Sequence, residues 1–174
     1  MRQIVITGPP GSGKSTLGRS IAREMGLHFI SSGDIARKLA ATDESTHTAL
    51  QAGLMAPEEI MRDEIHVAIK EATMLSGPGF VLEGFPRTIA QAICLRKWLK
   101  EPPRFIRILL DPTDCVDRLL ERARKDDTPD NIARRLKTWD TETMQVFTIE
   151  SANLVDGSLS PDEILARAKE LFGA

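Results

Sequence analysis

The sequence predicts an α/β protein: a doubly wound parallel sheet of about five strands with helices on both faces. Three observations point there. Short β-rich runs alternate with longer stretches of helical periodicity, the pattern of strand–helix units laid side by side. Gly and Pro punctuate the boundaries, as at 77–79 and 102–103. The chain has 174 residues, 41% hydrophobic and 28% charged, which fits one globular domain over 1–174 and excludes global disorder.

Residues 2–7 read as a buried strand, and 15–25 as a helix with Leu17, Ile21 and Ala22 at helical spacing. A second strand is expected at 28–31, then helices at 34–41, 46–52 and 57–75, where Pro57 suits a first turn. The Gly77-Pro78-Gly79 break precedes a third strand at 80–82. A helix over 88–100 stops before Pro102-Pro103, and 105–110 is a fourth strand. Helices at 114–124 and 129–149 flank a turn at 125–128. A last strand at 152–155 leads to a closing helix over 161–172, with Ser160 as its N-cap. Ligands of such sheets bind beyond the carboxyl ends of the strands, so the functional loops are expected after Thr7, Ser31, Leu82, Leu110 and Val155. The stretches 43–56 and around Asp126 fit the wound core poorly and read as excursions over the site.

No apolar run approaches the length needed to cross a bilayer, and no signal peptide is visible, so a cytoplasmic location is expected. The formal charge of -2 lacks the basic excess of a nucleic-acid-binding domain. Cys94 and Cys115 are too few for a disulfide scaffold and lack metal-ligand spacing; two reduced, partly buried thiols are expected. His28, His47 and His66 have ordinary structural readings, and Met55, Met61 and Met74 read as packing. One local bias stands out: Arg118, Arg122, Arg124, Arg134 and Arg135, with Lys125 and Lys137, fall in one short stretch. It is either a solvated helix face or an anion site.

Gly8-Pro9-Pro10-Gly11-Ser12-Gly13-Lys14-Ser15 satisfies the phosphate-loop pattern G-x-x-x-x-G-K-[ST], with an apolar strand before it and an amphipathic helix after. Glycines let backbone N–H groups turn inward around phosphate oxygens, and the helix N-terminus adds positive potential. Lys14 can reach the outer phosphates, and the Ser15 hydroxyl can ligate Mg²⁺. The loop therefore predicts a P-loop nucleotide-binding fold, without separating a kinase from a GTPase, an ATPase or a sensor. No N-K-x-D guanine-reading motif is present, and a DNA-dependent motor would need more length and more basic surface. A small-molecule kinase remains, and it should carry a second anion site built from arginines on other loops.

Those arginines follow in order: Ser31-Ser32-Gly33-Asp34-Ile35-Ala36-Arg37; Glu83-Gly84-Phe85-Pro86-Arg87-Thr88 with Gln91; Asp117-Arg118 to Arg122; Arg124-Lys125-Asp126-Asp127; Arg134-Arg135. With the phosphate loop, this set resembles the adenylate kinases, in a short-lid form, over nearly the whole chain. The resemblance implies a Mg²⁺-dependent phosphotransferase acting on ATP and AMP to give two ADP. It implies that Gly11, Ser12, Gly13, Lys14, Ser15 and Thr16 cradle the ATP phosphates, that Arg118 stacks on the ATP adenine, and that Leu159 approaches that base through its backbone. On the acceptor side it implies Ser32 near the AMP nucleoside and Arg37 and Arg87 on the AMP phosphate. Gly84, Phe85 and Pro86 would wall that pocket, Leu54, Met55 and Ala56 would line the base site, and Gln91 would read the adenine edge. Arg122, Arg124 and Arg135 match lid-side arginines that close over the transferring group, and Ser15 with Glu83 would face the metal.

Residues 32–57 thus correspond to an AMP-binding arm and 122–130 to a reduced lid. Glu83 stands where the family usually has Asp, the segment between Arg37 and Gly53 is short, and Ala123 alone separates Arg122 from Arg124. No Cys cluster is available for a lid zinc. Arg134 and Arg104 match no functional position and read as surface charges. The expected partners are ATP, AMP and ADP, with no nucleic acid or membrane, and a monomer is expected. The alternatives are a kinase for another monophosphate, such as UMP or CMP, and a nucleotide-binding regulatory module without turnover.

Overall fold

The computed structural model describes residues 2–74 and 79–171. Five strands, β1 (Arg2–Thr7), β2 (His28–Ser31), β3 (Gly79–Glu83), β4 (Arg104–Leu109) and β5 (Ala152–Asp156), form one parallel sheet in the order β2-β3-β1-β4-β5. β1 is central, with Val5 opposite Leu82 on one side and Phe105 on the other. A strand in that position is buried on both faces at its centre, where Ile4, Val5 and Ile6 are apolar in succession.

The pleat sends those residues to different layers. Ile4 and Ile6 join a cluster with Leu17, Ile21 and Ala22 of α1 (Lys14–Met25) and Ile164 and Ala168 of α8 (Pro161–Glu170). Val5 faces the other layer, with Ala36 of α2 (Ser32–Leu39), Met61, Ile65 and Ile69 of α4 (Glu58–Met74) and Leu95 of α5 (Ile89–Trp98). Helices therefore cover both faces. Truncating a fully buried side chain such as Ile21 would cost about 2–5 kcal/mol.

Side-chain caps set most helix starts. Ser31 Oγ accepts from Asp34 N, Asp43 from Thr46 N, and Thr88 from Gln91 N. They start α2, α3 (Glu44–Gln51) and α5. Asp111 caps α6 (Pro112–Arg122), which therefore begins two residues before the predicted 114 and carries Pro112 in its first turn. Ser160 forms the expected cap, completed by Glu163 into a capping box. Pro57 lies just outside α4, whose Met61 N–H bonds to its carbonyl.

One predicted helix is two elements. Residues 129–149 divide into α7 (Pro129–Thr141) and a 3-10 turn over Thr143–Thr148. The break re-aims the chain so that Thr143 and Val146 are buried, and Phe147 meets Phe105 edge-to-face. A continued α-helix would carry these residues past the sheet. Leu75, Ser76, Gly77, Pro78 and Phe172, which bear on two predicted helix ends and one predicted turn, lie outside the described residues. Both cysteines are free thiols, and no helix among the described residues is long and apolar enough to cross a membrane.

Candidate active site

Between β1 and α1 the phosphate loop curls over the carboxyl end of the sheet. Gly11 and Gly13 both have φ of 85°, a left-handed conformation open to glycine at little cost. A Cβ on Gly11 would also lie 2.7 Å from the Cys115 carbonyl, so the loop is seated directly on α6. Lys14 Nζ donates to the Pro9 carbonyl at 2.7 Å. Desolvation in this crowded loop lowers the Lys14 pKa to about 8; Glu83 opposes that shift, while Arg87 and Arg122 reinforce it.

On the other side of β1, α2 and the loop after β3 bring together Ser32, Arg37, Gly84, Phe85, Pro86 and Arg87. Arg37 Nη2 donates to Asp34 Oδ1 at 2.6 Å, and Arg19 donates to the other oxygen at 2.6 Å. Burial works against the Asp34 charge, but the two guanidinium groups hold its pKa below the usual carboxylate value. Arg87 Nε donates to the Gly84 carbonyl at 2.7 Å, and its pKa is lowered by burial and by Arg135 and Arg37. Gln91 Oε1 accepts from Arg87 N at 2.8 Å, so the end that Gln91 offers to the cavity is its Nε2 donor. The buried Ser32 hydroxyl has no protein partner. Phe85 is core on its other side, stacked on Trp98, which in turn stacks on His66.

The third wall comes from the end of α6, the turn after it and α7. Arg122 closes α6, Ala123 turns the chain with φ of 50°, and Arg124 follows. Asp127 is central to this wall. Its side chain is fully buried and accepts from Arg122 Nε and Nη2 at 2.8 Å each, and from Arg135 Nη2 at 2.5 Å. Burial alone would raise its pKa; the hydrogen bonds and charges of Arg122 and Arg135 win and lower it to about 2. Arg135 also reaches Asp126 at 3.3 Å. Arg124 is crowded by Arg122 and Arg37, and burial together with those charges lowers its pKa.

The three walls enclose one cavity of about 420 Å³. Its lining includes Gly11, Gly13, Lys14, Ser15, Thr16, Ser32, Arg37, Leu54, Met55, Ala56, Glu83, residues 84–87, Gln91, Arg118, Arg122, Arg124 and Arg135. Seven basic side chains face it against two acidic ones, Glu83 and Asp126. Such a surplus of fixed positive charge suits closely spaced phosphates. Glu83 is buried, and its Oε2 accepts from Ser31 Oγ at 2.8 Å. Its carboxylate and the Ser15 hydroxyl, both on the cavity, are hard oxygen donors of the kind Mg²⁺ prefers.

Two expected site residues stand apart. Ser12 is fully buried inside the loop with an unpartnered hydroxyl and does not line the cavity, so the loop presents backbone there. Leu159 packs against the core cluster beneath α8 and does not line the cavity either. Arg134, read from sequence as a surface charge, instead donates to the Ala52 carbonyl and to Asn131 Oδ1. Arg104 reaches the Leu171 carbonyl at 3.3 Å. Sequence reasoning missed Asp127, Trp139 and Asn131. Only Asp127 left a signal, as an acid set between arginines that it could neutralise.

Comparison with known proteins agrees with this geometry. The family model described as "Adenylate kinase" matches residues 6–153. The chain is 32% identical to an adenylate kinase of Rhodococcus erythropolis, over 98% of this chain and 99% of that one. It is 31% identical to adenylate kinase 1 of a Nostoc species over the full length of both. It is 30% identical to the enzyme of that name from Thermus thermophilus, over 98% of this chain and 96% of the other. The family model over residues 6–153, with relatives about 30% identical along nearly the whole chain, places the chain in the adenylate kinase family.

Proposed function

We infer that this protein transfers the terminal phosphoryl group of ATP to AMP, giving two ADP. The observation that carries this reading is the single cavity in which the phosphate loop faces Arg37 and Arg87 across the carboxyl end of β1. The loop is the donor side; the two arginines and Ser32 form the acceptor side. An AMP phosphate oxygen attacks the terminal phosphorus of ATP, the bond to the bridging oxygen breaks, and that oxygen leaves on ADP. No general base is needed, because the acceptor is already a phosphate oxygen. The work is positioning and charge neutralisation.

The residue roles follow. The backbone of the phosphate loop and Lys14 hold the donor phosphates. Arg37 and Arg87 hold the acceptor phosphate, and Gln91 Nε2 offers a donor to its base. Arg122, Arg124 and Arg135 offset the charge crowded between the two. Residues 32–57 act as the acceptor arm and 122–130 as a small lid. Ser15 and Glu83 would hold Mg²⁺, directly or through water, and the ion when bound neutralises phosphate oxygens. Among the described residues no group of three or more His, Cys, Asp or Glu could hold a metal ion.

A kinase for UMP or CMP and a silent regulatory module are not favoured, since the relatives compared are all named adenylate kinase. With this reading we take nucleotides as the partners and the chain as a cytoplasmic monomer. The formal charge of -2 gives no support to nucleic-acid binding. The deciding experiment is ADP formation from ATP with AMP, CMP, UMP, GMP and dAMP in turn, with and without Mg²⁺. AMP should lead by at least about tenfold in kcat/KM. A lead for any other monophosphate overturns the assignment.

A further inference from the structure

Helix α3 and helix α7 are distant in sequence yet share a joint. Asn131, in the first turn of α7, is 7% exposed. Its Nδ2 donates to the Gln51 carbonyl at 3.0 Å and to the Asp126 carbonyl at 3.3 Å. Arg134, one turn on, donates to the Ala52 carbonyl. The last carbonyls of a helix have no partner within it. In α3 the carbonyls of Ala49 and Leu50 accept from the backbone of Leu54 and Gly53, and those of Gln51 and the C-cap Ala52 accept from side chains of α7. The packing is equally close: a Cβ on Gly53 would lie 2.8 Å from Asn131 Oδ1, and Gly53 has φ of 67°. The turn that ends α3 is thus pressed onto Asn131 with no room for a side chain.

That joint connects two walls of the cavity. Gly53, Leu54, Met55 and Ala56 leave the turn and line the acceptor side. Arg135, the neighbour of Arg134, lines the same cavity and is anchored by Asp126 and Asp127. Asn131 also holds the Asp126 carbonyl, so one amide group touches the arm turn and the lid turn together. Neither Asn131 nor Arg134 lines the cavity.

We propose that Asn131 and Arg134 are positioning residues for the acceptor nucleotide, bolting the arm turn at residues 51–53 to the lid-side helix. The proposal rests on the phosphotransfer reading. With the bolt in place, the acceptor wall and Arg135 keep one spacing. Without it, the arm turn loses its partner and the wall relaxes, while the phosphate loop, on the other side of β1, is untouched. The expected signature is asymmetric: acceptor affinity falls and ATP affinity stays.

The test compares wild type with Asn131→Ala, Asn131→Asp, Arg134→Ala and Arg134→Lys. Steady-state KM is measured for ATP and AMP, and the Kd of each nucleotide by calorimetry. Asn131→Asp keeps the shape and removes the donor, and should behave like Asn131→Ala. Both should raise the KM and Kd for AMP about fivefold or more, with the values for ATP within about twofold. Arg134→Ala should act in the same direction, and Arg134→Lys, which keeps a donor, should recover most of the loss. A parallel rise for both nucleotides, or no change for AMP, overturns the proposal. If Asn131→Ala melts below the assay temperature, Arg134→Ala, an exposed position, carries the comparison. Failure of the phosphotransfer reading is visible separately, as no ADP from ATP and AMP in the wild type; the AMP and ATP binding constants then still decide on the bolt.

Discussion

Asp127 grips Arg122 with both carboxylate oxygens, at 2.8 Å from Nε and 2.8 Å from Nη2, while also holding Arg135. A fork-to-fork pair of this kind fixes the plane of the guanidinium as well as its place. The consequence is a pair of preset arginines at the turn between α6 and α7, the segment proposed as a lid. Both lid-side helices lend them rigidity: Arg122 is the last residue of α6, and Arg135 lies in the second turn of α7.

Asp127→Asn should therefore lower kcat by about tenfold or more, measured by ADP formation, because Arg122 and Arg135 lose their common anchor. Stability should change in acid as well. The Asp127 pKa, about 2 when folded, is below the ordinary 3.8 of an aspartate, so its contribution is full above about pH 4 and lost as pH falls through 2. That shift is worth roughly 2 kcal/mol. The acid-induced loss of stability between pH 4 and 2 should be smaller by that amount in Asp127→Asn, read from denaturant midpoints.

Lys14 predicts a pH dependence on the opposite side. Its folded pKa of about 8 means that the ammonium is mostly charged at pH 7 and fades above 8. ATP affinity should be flat below about pH 8 and then weaken by up to about tenfold per pH unit, as the free protein must regain a proton to bind phosphate. Lys14→Met should abolish that slope and leave less than about a tenth of the wild-type rate. Its stability should not suffer. A lysine whose pKa is depressed from 10.5 costs stability below about pH 8 and releases that cost as pH rises toward 10.5. The variant's Tm at pH 7 should stay within a few degrees of wild type.

Arg87 and Gln91 should separate phosphate holding from base reading. Arg87→Ala should weaken every monophosphate acceptor. Gln91→Ala removes two things, the acceptor for Arg87 N and the donor to the base. Gln91→Glu separates them, because the retained carboxylate oxygen still accepts from Arg87 N while the Nε2 donor is lost. Its kcat/KM should fall for AMP by about tenfold or more and much less for acceptors that do not use that donor. Equal losses for all bases would remove Gln91 from the base site.

Arg124 sits in the turn rather than on a helix, close enough to Arg122 and Arg37 for their charges to act on it. Arg124→Ala should lower turnover at least about tenfold, since an arginine on a transferring phosphoryl group can contribute a thousandfold or more. The short lid should also leave water partial access to ATP. Hydrolysis of ATP without AMP should be measurable and slower than transfer to AMP. Hydrolysis undetectable beside a long-lid relative would shift the exclusion of water to the arm.

Much of this was legible in the sequence for physical reasons. The bounds of β1 and β2 are read correctly because each carries a short apolar centre, Ile4 to Ile6 and Phe29-Ile30, closed by the glycine loop after Thr7 and by the helix cap Ser31. The phosphate loop is legible because its chemistry is local. The Ser12 hydroxyl and the Leu159 side chain turn into the protein because packing, not motif, decides which side of a loop faces a cavity. Asn131 and Arg134 left no signal because they act on backbone carbonyls, which have no residue identity, across a separation of 80 residues or more. The break after Thr141 was hidden for a related reason. The helical period continues in sequence, and only the burial of Val146 and Phe105's contact with Phe147 end it.

The placing of β1 between β3 and β4 sets an order of events during synthesis. The ribosome releases Ile4, Val5 and Ile6 long before Val81 and Ile106, the strands that will flank them. Until β4 emerges, the nascent chain carries an apolar strand with an unmatched edge, and α6, on which Gly11 rests, has not yet been made. A chain interrupted before Cys115 therefore presents its phosphate loop without the α6 backbone against which Gly11 is seated.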